Sequence, residues 1–176
     1  YIQDAIVFAD FNSNFKRDLD EPETVTNILG QFIFNQPIPE NTLLVLSGGI
    51  DSFTDMPMPK DYKLLGRSST DESRVISPIS TMHYFMDEEY DVHSDLKINL
   101  FNVFTKDPVI NIADTEASIV LKVNMQISIL AESISKITNE TDYFEIYSVI
   151  ANNLSSQYLG LSSLTSNTII NQSINQ

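Results

Sequence analysis

The chain has 176 residues, 42% of them apolar, which fits one domain or two small ones with a real core. Its formal net charge of −14 argues against nucleic acid or an anionic membrane surface as partner, since both need a basic face. It contains no cysteine, so disulfides and thiol chemistry are excluded.

The first apolar run, Asp4 to Ala9, is rich in strand formers and leads into an acidic segment. In residues 10–21, Asp10, Asn12, Asn14, Asp18 and Glu21 occupy the first, third, fifth, ninth and twelfth places. Lys16, at the seventh, can offer its backbone carbonyl. This is the spacing of a twelve-residue loop that wraps Ca²⁺, with the terminal Glu closing it through both oxygens. The rival metal is Mg²⁺, but so many protein oxygens suit the larger and less tightly hydrated ion. Brought together without a cation, Asp10, Asp18 and Glu21 would repel one another. The loop departs from the pattern at Phe15, where glycine is usual and a bulky residue at positive φ is costly. An EF-hand loop would lead into an amphipathic helix, whereas Pro22 follows here. The loop is therefore expected to join two strands and to staple a sheet.

Glu23–Thr26 reads as the next strand, Asn27–Gly30 as a turn, and Gln31–Phe34 as a strand with Phe32 and Phe34 on one face. Thr42–Leu46 reads as a buried strand ended by Ser47, Gly48 and Gly49. Residues 51–73 form a Pro-, Asp- and Ser-rich connection with a further short strand over Tyr62–Leu65. Asp51 and Asp55 could hold a second ion or bond their own turn backbone, and the turn reading suits their chemistry better.

From Pro78 the apolar period becomes helical. Ser77 is the expected cap, Pro78 the first helical residue, and Ile79, Met82, Phe85 and Met86 the stripe. A short helix is expected over Asp95–Phe104, broken by Asp107 and Pro108. A long one starts at the cap Asp114, with Ala117, Val120, Asn124, Ile127, Ala131 and Ile134 recurring on one side. Leu121, Val123 and Leu130 flank that stripe. A last helix is expected over Thr141–Leu159, with Phe144, Tyr147, Ile150, Ala151, Leu154 and Tyr158 inward and Gly160 as its stop. Residues 161–176 read as a polar linker or tail.

Several segments in this order resemble a known module: Ala5–Asn14, Asp18, Glu21–Pro22, the glycine and phenylalanine of Gly30–Phe32, Leu44–Asp51, Val75–Thr81 and Phe104–Val109. The resemblance covers residues 4–135 and is to modules of very large bacterial surface and adhesin-type proteins. The first half is similar to their transthyretin-like (prealbumin-like) calcium-binding β-sandwich domains. Phe15 in place of Gly, and Asn27–Gly30 in place of an Asp-x-x-Gly turn, depart from the pattern. The switch of period at Pro78 gives the expected chain as α+β, an antiparallel β-sandwich over 1–77 packed with a helical subdomain of three to four helices over 78–160. The resemblance implies the same sandwich for the first half. It further implies a cell-surface or secreted setting, a habitat that the absence of cysteine beside a calcium loop also fits. No signal peptide or transmembrane run is read in the sequence, and the start at Tyr1 reads as a segment cut from a longer protein.

No catalytic apparatus emerges. His83 and His93 have no nucleophile in any recognised motif, Asp87, Glu88 and Glu89 read as a solvated helix end, and Ser47 lacks a nucleophile elbow. The acceptor-like triplets at Asn139, Asn153 and Asn171 read as chance in an Asn- and Ser-rich chain. The expectation is a non-enzymatic, calcium-stabilised structural module of a stalk, fibre or surface layer, whose partners are neighbouring modules. The alternative is an adhesin module that holds a carbohydrate or protein ligand.

Overall fold

The computed structural model describes residues 1–59, 61–86, 100–140 and 142–156. The chain is α+β and divides into two compact units between Ile76 and Ser77.

The first unit carries seven short strands: β1 (Ile2–Gln3), β2 (Ile6–Asp10), β3 (Glu23–Val25), β4 (Leu43–Ser47), β5 (Ile50–Asp51), β6 (Met56–Pro57) and β7 (Lys63–Arg67). They form two antiparallel sheets, one in the order β3-β2-β4-β7 and one in the order β1-β5-β6. β4 is central and apolar along its length, so Leu43, Leu44, Val45 and Leu46 are all buried. A strand covered on both faces reads as a continuous apolar run rather than an alternating one. The register sets Ile6, Ser47 and Lys63 side by side at one end of the sheet, and Asp10, Leu43 and Arg67 at the other. Thr26, also buried, ties β1 to the end of β3: its Oγ1 accepts from the Ala5 N–H at 2.9 Å and donates to the Ile2 carbonyl at 2.8 Å. Gly49 is required where it stands. At φ 97° a Cβ there would lie 2.6 Å from Ile2 Cγ2 and 2.8 Å from Ala5 Cβ.

One expected strand is absent. Gln31–Phe34 joins no ladder. The Asn27 side chain accepts from the N–H groups of Leu29 and Gln31, and Gly30 at φ 68° completes a tight turn. The chain then comes back to β3 by a side-chain bond, Thr24 Oγ1 to the Ile33 carbonyl at 2.9 Å. The expected alternation survives without a ladder: Phe32 and Phe34 are half-buried with rings edge-on at 6.0 Å, and Ile33 is exposed.

The second unit holds four helices among its described residues: α1 (Pro78–Phe85), α2 (Leu100–Thr105), α3 (Thr115–Thr138) and α4 (Tyr143–Ser156). Ser77 caps α1 in a reciprocal box, its Oγ accepting from the Ser80 N–H while Ser80 Oγ accepts from the Ser77 N–H. Asp114 caps α3 through the N–H groups of Glu116 and Ala117, and Asn139 ends it in the left-handed region at φ 58°. Every residue of the anticipated α3 stripe is buried, as are Val123 and Leu130, whereas Leu121 is half-buried. Asn124 is the one polar member. Its Oδ1 accepts from the Ile79 N–H at 2.9 Å, in the first turn of α1, where helical N–H groups lack intrahelical partners.

The sequence reading admits no membrane span, yet the 24-residue α3 is long and apolar enough for one by length and composition. Its buried stripe packs in this unit with α1 and α4, while Met125, Ile129 and Ile137 on the same helix are exposed. α4 begins at Tyr143, and the expected Phe144 is half-buried there while Tyr143 and Ile146 are buried beside Tyr147, Ile150, Ala151 and Leu154. Residues 95–99 of the second expected helix, Tyr158, Gly160 and the polar segment 161–176 lie outside the described residues. So do His93, Asp87, Glu88 and Glu89.

Candidate metal centre

The 10–21 loop joins β2 to β3. Asp10 is the last residue of β2 and almost fully buried, and Glu21, also buried, precedes the buried Pro22. The base of the loop is closed by the Ala9 N–H bonding the Pro22 carbonyl at 3.0 Å. The two end carboxylates face inward and collect backbone donors from within the loop. Asp10 Oδ1 accepts from the Asn14 N–H at 3.2 Å, and Oδ2 from the Phe15 N–H at 2.7 Å. Glu21 Oε1 accepts from the Phe11 N–H at 2.9 Å, and Oε2 from the Asp18 N–H at 3.1 Å.

The third carboxylate gathers the two amides. Asp18 Oδ2 accepts from Asn12 Nδ2 at 2.8 Å and from Asn14 Nδ2 at 2.9 Å. The amide oxygens serve the backbone, Asn12 Oδ1 accepting from the Asn14 N–H at 3.1 Å and Asn14 Oδ1 from the Lys16 N–H at 2.7 Å. Such bonds two residues onward are the reason Asn and Asp favour tight turns. Thus five side chains of the expected ligand set, those of Asp10, Asn12, Asn14, Asp18 and Glu21, share one hydrogen-bonded loop. Lys16 contributes its N–H to that network and has an exposed side chain.

The fit to a cation is partial. A carboxylate offers about four lone-pair positions, and Asp10 and Glu21 each use two, so both retain acceptor capacity. The two asparagines present amide N–H groups to Asp18, and each amide oxygen, accepting one backbone N–H, keeps a second acceptor position. Among the described residues, no group of three or more Asp, Glu, His or Cys side chains is gathered closely enough to hold a metal as it stands.

Phe15 occupies the place where glycine is usual and adopts φ 58°, with Ser13 at φ 57° two residues earlier. For a non-glycine residue the left-handed region costs roughly 1–2 kcal/mol. Both backbone groups of Phe15 are held there: its N–H by Asp10, and its carbonyl by Lys63 Nζ at 3.0 Å. Lys63 is a residue that sequence reasoning missed. It lies 48 positions away in another strand, and no local pattern announces it. Arg17 pairs with Glu23 across the mouth of the loop, both partly exposed.

The other candidates scatter. Asp51 Oδ1 accepts from the Phe53 N–H at 2.9 Å and Oδ2 from the Thr54 hydroxyl at 3.0 Å, so this carboxylate folds its own turn. Asp55 follows in the left-handed region at φ 56°. His83 is exposed on α1, its ring tilted against Phe104 at 5.2 Å. Asn139 is the α3 cap, and Asn153 Nδ2 donates to the Val149 carbonyl.

Comparison with protein-family models, curated proteins and solved structures returns no match to this chain.

Proposed function

We propose that the first unit is a calcium-stabilised structural module, with Ca²⁺ held by Asp10, Asn12, Asn14, Asp18, Glu21 and the Lys16 carbonyl. The observation that carries the reading is the inward turn of the buried Asp10 and Glu21, whose carboxylates brace a loop already carrying two asparagine amides and a third carboxylate. Oxygen-only donors of this number suit a hard cation of calcium's size. The ion would act on the β2–β3 connection and hence on the sheet, with no part in a reaction. The habitat in keeping with this is the bacterial cell surface, in an adhesin, stalk, fibre or surface layer of the transthyretin-like kind, with neighbouring modules as partners. Neither enzymatic turnover nor membrane insertion belongs to this reading.

The test is calorimetric titration of the chelator-treated protein with CaCl₂, run beside MgCl₂. The expected dissociation constant is on the order of 10⁻⁴ to 10⁻³ M, as in extracellular modules. A melting curve that does not respond to calcium, together with no heat of binding, would refute the proposal.

A further inference from the structure

The corner of the first unit built by the 27–30 turn and the β5–β6 hairpin carries an apolar surface that the calcium reading does not use. The two segments are joined: Ser52 Oγ donates to the Ile28 carbonyl at 3.1 Å, and the Ser52 N–H donates to the Tyr1 carbonyl at 2.9 Å. β5 pairs with β1 on one side and with β6 on the other, so residues 1–3, 27–30 and 50–57 form one continuous corner. Four large apolar side chains stand out from it, Ile28 at 69% exposure, Leu29 at 51%, Phe53 at 93% and Met56 at 64%. Single exposed apolar residues need no explanation, whereas a group of four at one corner marks an interaction surface.

The charged side chains of this corner are all acidic. Asp4 and Asp55 are exposed and Asp51 half-buried within the same corner. No lysine or arginine occurs in residues 1–5, 27–31 or 48–59. We propose that Ile28, Leu29, Phe53 and Met56, rimmed by Asp4, Asp51 and Asp55, form a docking surface for a polypeptide segment that is apolar at its centre and basic at its flanks. Electrostatic complementarity selects that partner over the rest. A second copy of this chain would set like charges against each other across the patch, and an anionic lipid surface would be repelled by the same carboxylates. Burial of the four side chains supplies affinity, and the carboxylates supply orientation and a faster encounter.

The probe is a synthetic leucine–lysine peptide with a leucine centre and lysine flanks, titrated into the full chain at low salt, with a leucine–glutamate peptide of the same layout as control. Three proteins are compared: the wild type, the charge-neutral Phe53→Ser/Met56→Ser variant, and Asp4→Asn/Asp55→Asn. Because Phe53 and Met56 are exposed, their replacement leaves the melting temperature unchanged, which separates loss of binding from loss of fold. The expected result is binding of the leucine–lysine peptide alone, weakened at least about tenfold, or 1.4 kcal/mol, in the serine variant. The asparagine variant binds more weakly and with a shallower salt dependence. Equal affinity of the wild type and the serine variant overturns the proposal, because attraction to a −14 chain then needs no patch. Dimerisation of the wild type that the serine variant loses assigns the surface to a second copy instead. Binding to zwitterionic vesicles that the serine variant loses assigns it to a lipid surface. Either outcome replaces the basic partner.

Discussion

Lys63 donates to the carbonyl of Phe15 at 3.0 Å although the cross-strand register puts Lys63 and Asp10 at opposite ends of the four-stranded sheet. Lys63, Leu65 and Arg67 alternate onto one face of β7, and Asp10 shares that face through Leu43 and Arg67. The two ends are four residues apart, about 13 Å at roughly 3.3 Å per residue. For Phe15 to meet Lys63, the loop must turn back over this face, which also carries the buried Phe8, Val45 and Leu65. The loop thereby covers part of the sheet that it connects. Lys63→Met removes the ammonium while keeping an aliphatic stem. It should cost about 1.5 kcal/mol, at the lower end for a hydrogen bond to a charged group because the contact is only partly buried. Urea unfolding should show this as a lower midpoint at unchanged slope, and Lys63→Arg should recover part of the loss.

Calcium should raise the melting temperature of the wild type, by an amount equivalent to about 2.7 kcal/mol at a hundred times the dissociation constant. Asp10→Ala should abolish that response. It should also destabilise the calcium-free protein by about 1–3 kcal/mol, because the Asn14 and Phe15 N–H groups lose their acceptor. Melting curves of both proteins with calcium and with chelator separate the two effects. An Asp10→Ala protein matching the wild type in chelator would show that the hydrogen bonds described here contribute nothing.

Asn124→Leu swaps a buried polar residue in a core helix for an apolar one of similar size, which would be mild if packing alone mattered. It leaves the Ile79 N–H at the start of α1 without its acceptor. The expected loss is about 1–3 kcal/mol. Asn124→Asp keeps an acceptor at that point and should lose less above the carboxylate range. Chemical denaturation followed by circular dichroism, which reports the helical unit, makes the comparison.

Glu40 supplies the pH dependence. The Thr70 N–H bonding its carboxylate is the main cause of a pKa held below the usual glutamate value, with Thr70 and Ser69 side chains and Arg74 adding to it. Since the folded value lies below the unfolded one, the contribution is complete above the ordinary glutamate pKa of about 4.3 and is lost as pH falls through the lowered folded value. Glu40→Gln should therefore be less stable than the wild type at neutral pH, and the two should converge in acid. A gap that persists at the acid end would place the effect elsewhere than in the charge.

Much of the architecture was legible because period and capping are local signals. The change of period at Pro78 coincides with a capping box at Ser77, and the three- and four-residue steps of α3 pick out a buried face from Ala117 to Ile134. The convergence of Asp10 and Glu21 follows from their spacing, since a twelve-residue connection between paired strands brings its two ends together. What the sequence hid depends on distance along the chain or on competition for hydrogen bonds. Lys63 is 48 residues from Phe15, and Asn124 is 45 from Ile79. Gln31–Phe34 has a strand's alternation, but the Asn27 side chain takes the N–H groups of Leu29 and Gln31 into a turn, and no ladder forms beyond it. Alternation reports which side chains face inward, while a ladder also needs a partner with free backbone groups.

The return of residues 31–34 to Thr24 has a bearing on self-association. β3 is an outer strand of the four-stranded sheet, and an open outer strand is a template on which a foreign chain can extend the sheet. Here the neighbouring position is taken by the protein's own segment, tethered by the Asn27 N–H to the Gln31 carbonyl and by Thr24 to Ile33, but offering no regular ladder for a further strand to copy. Pro37 and Pro39, which lack an N–H, follow directly. A segment too irregular to count as a strand thus serves as a bumper: it blocks extension of the sheet past β3.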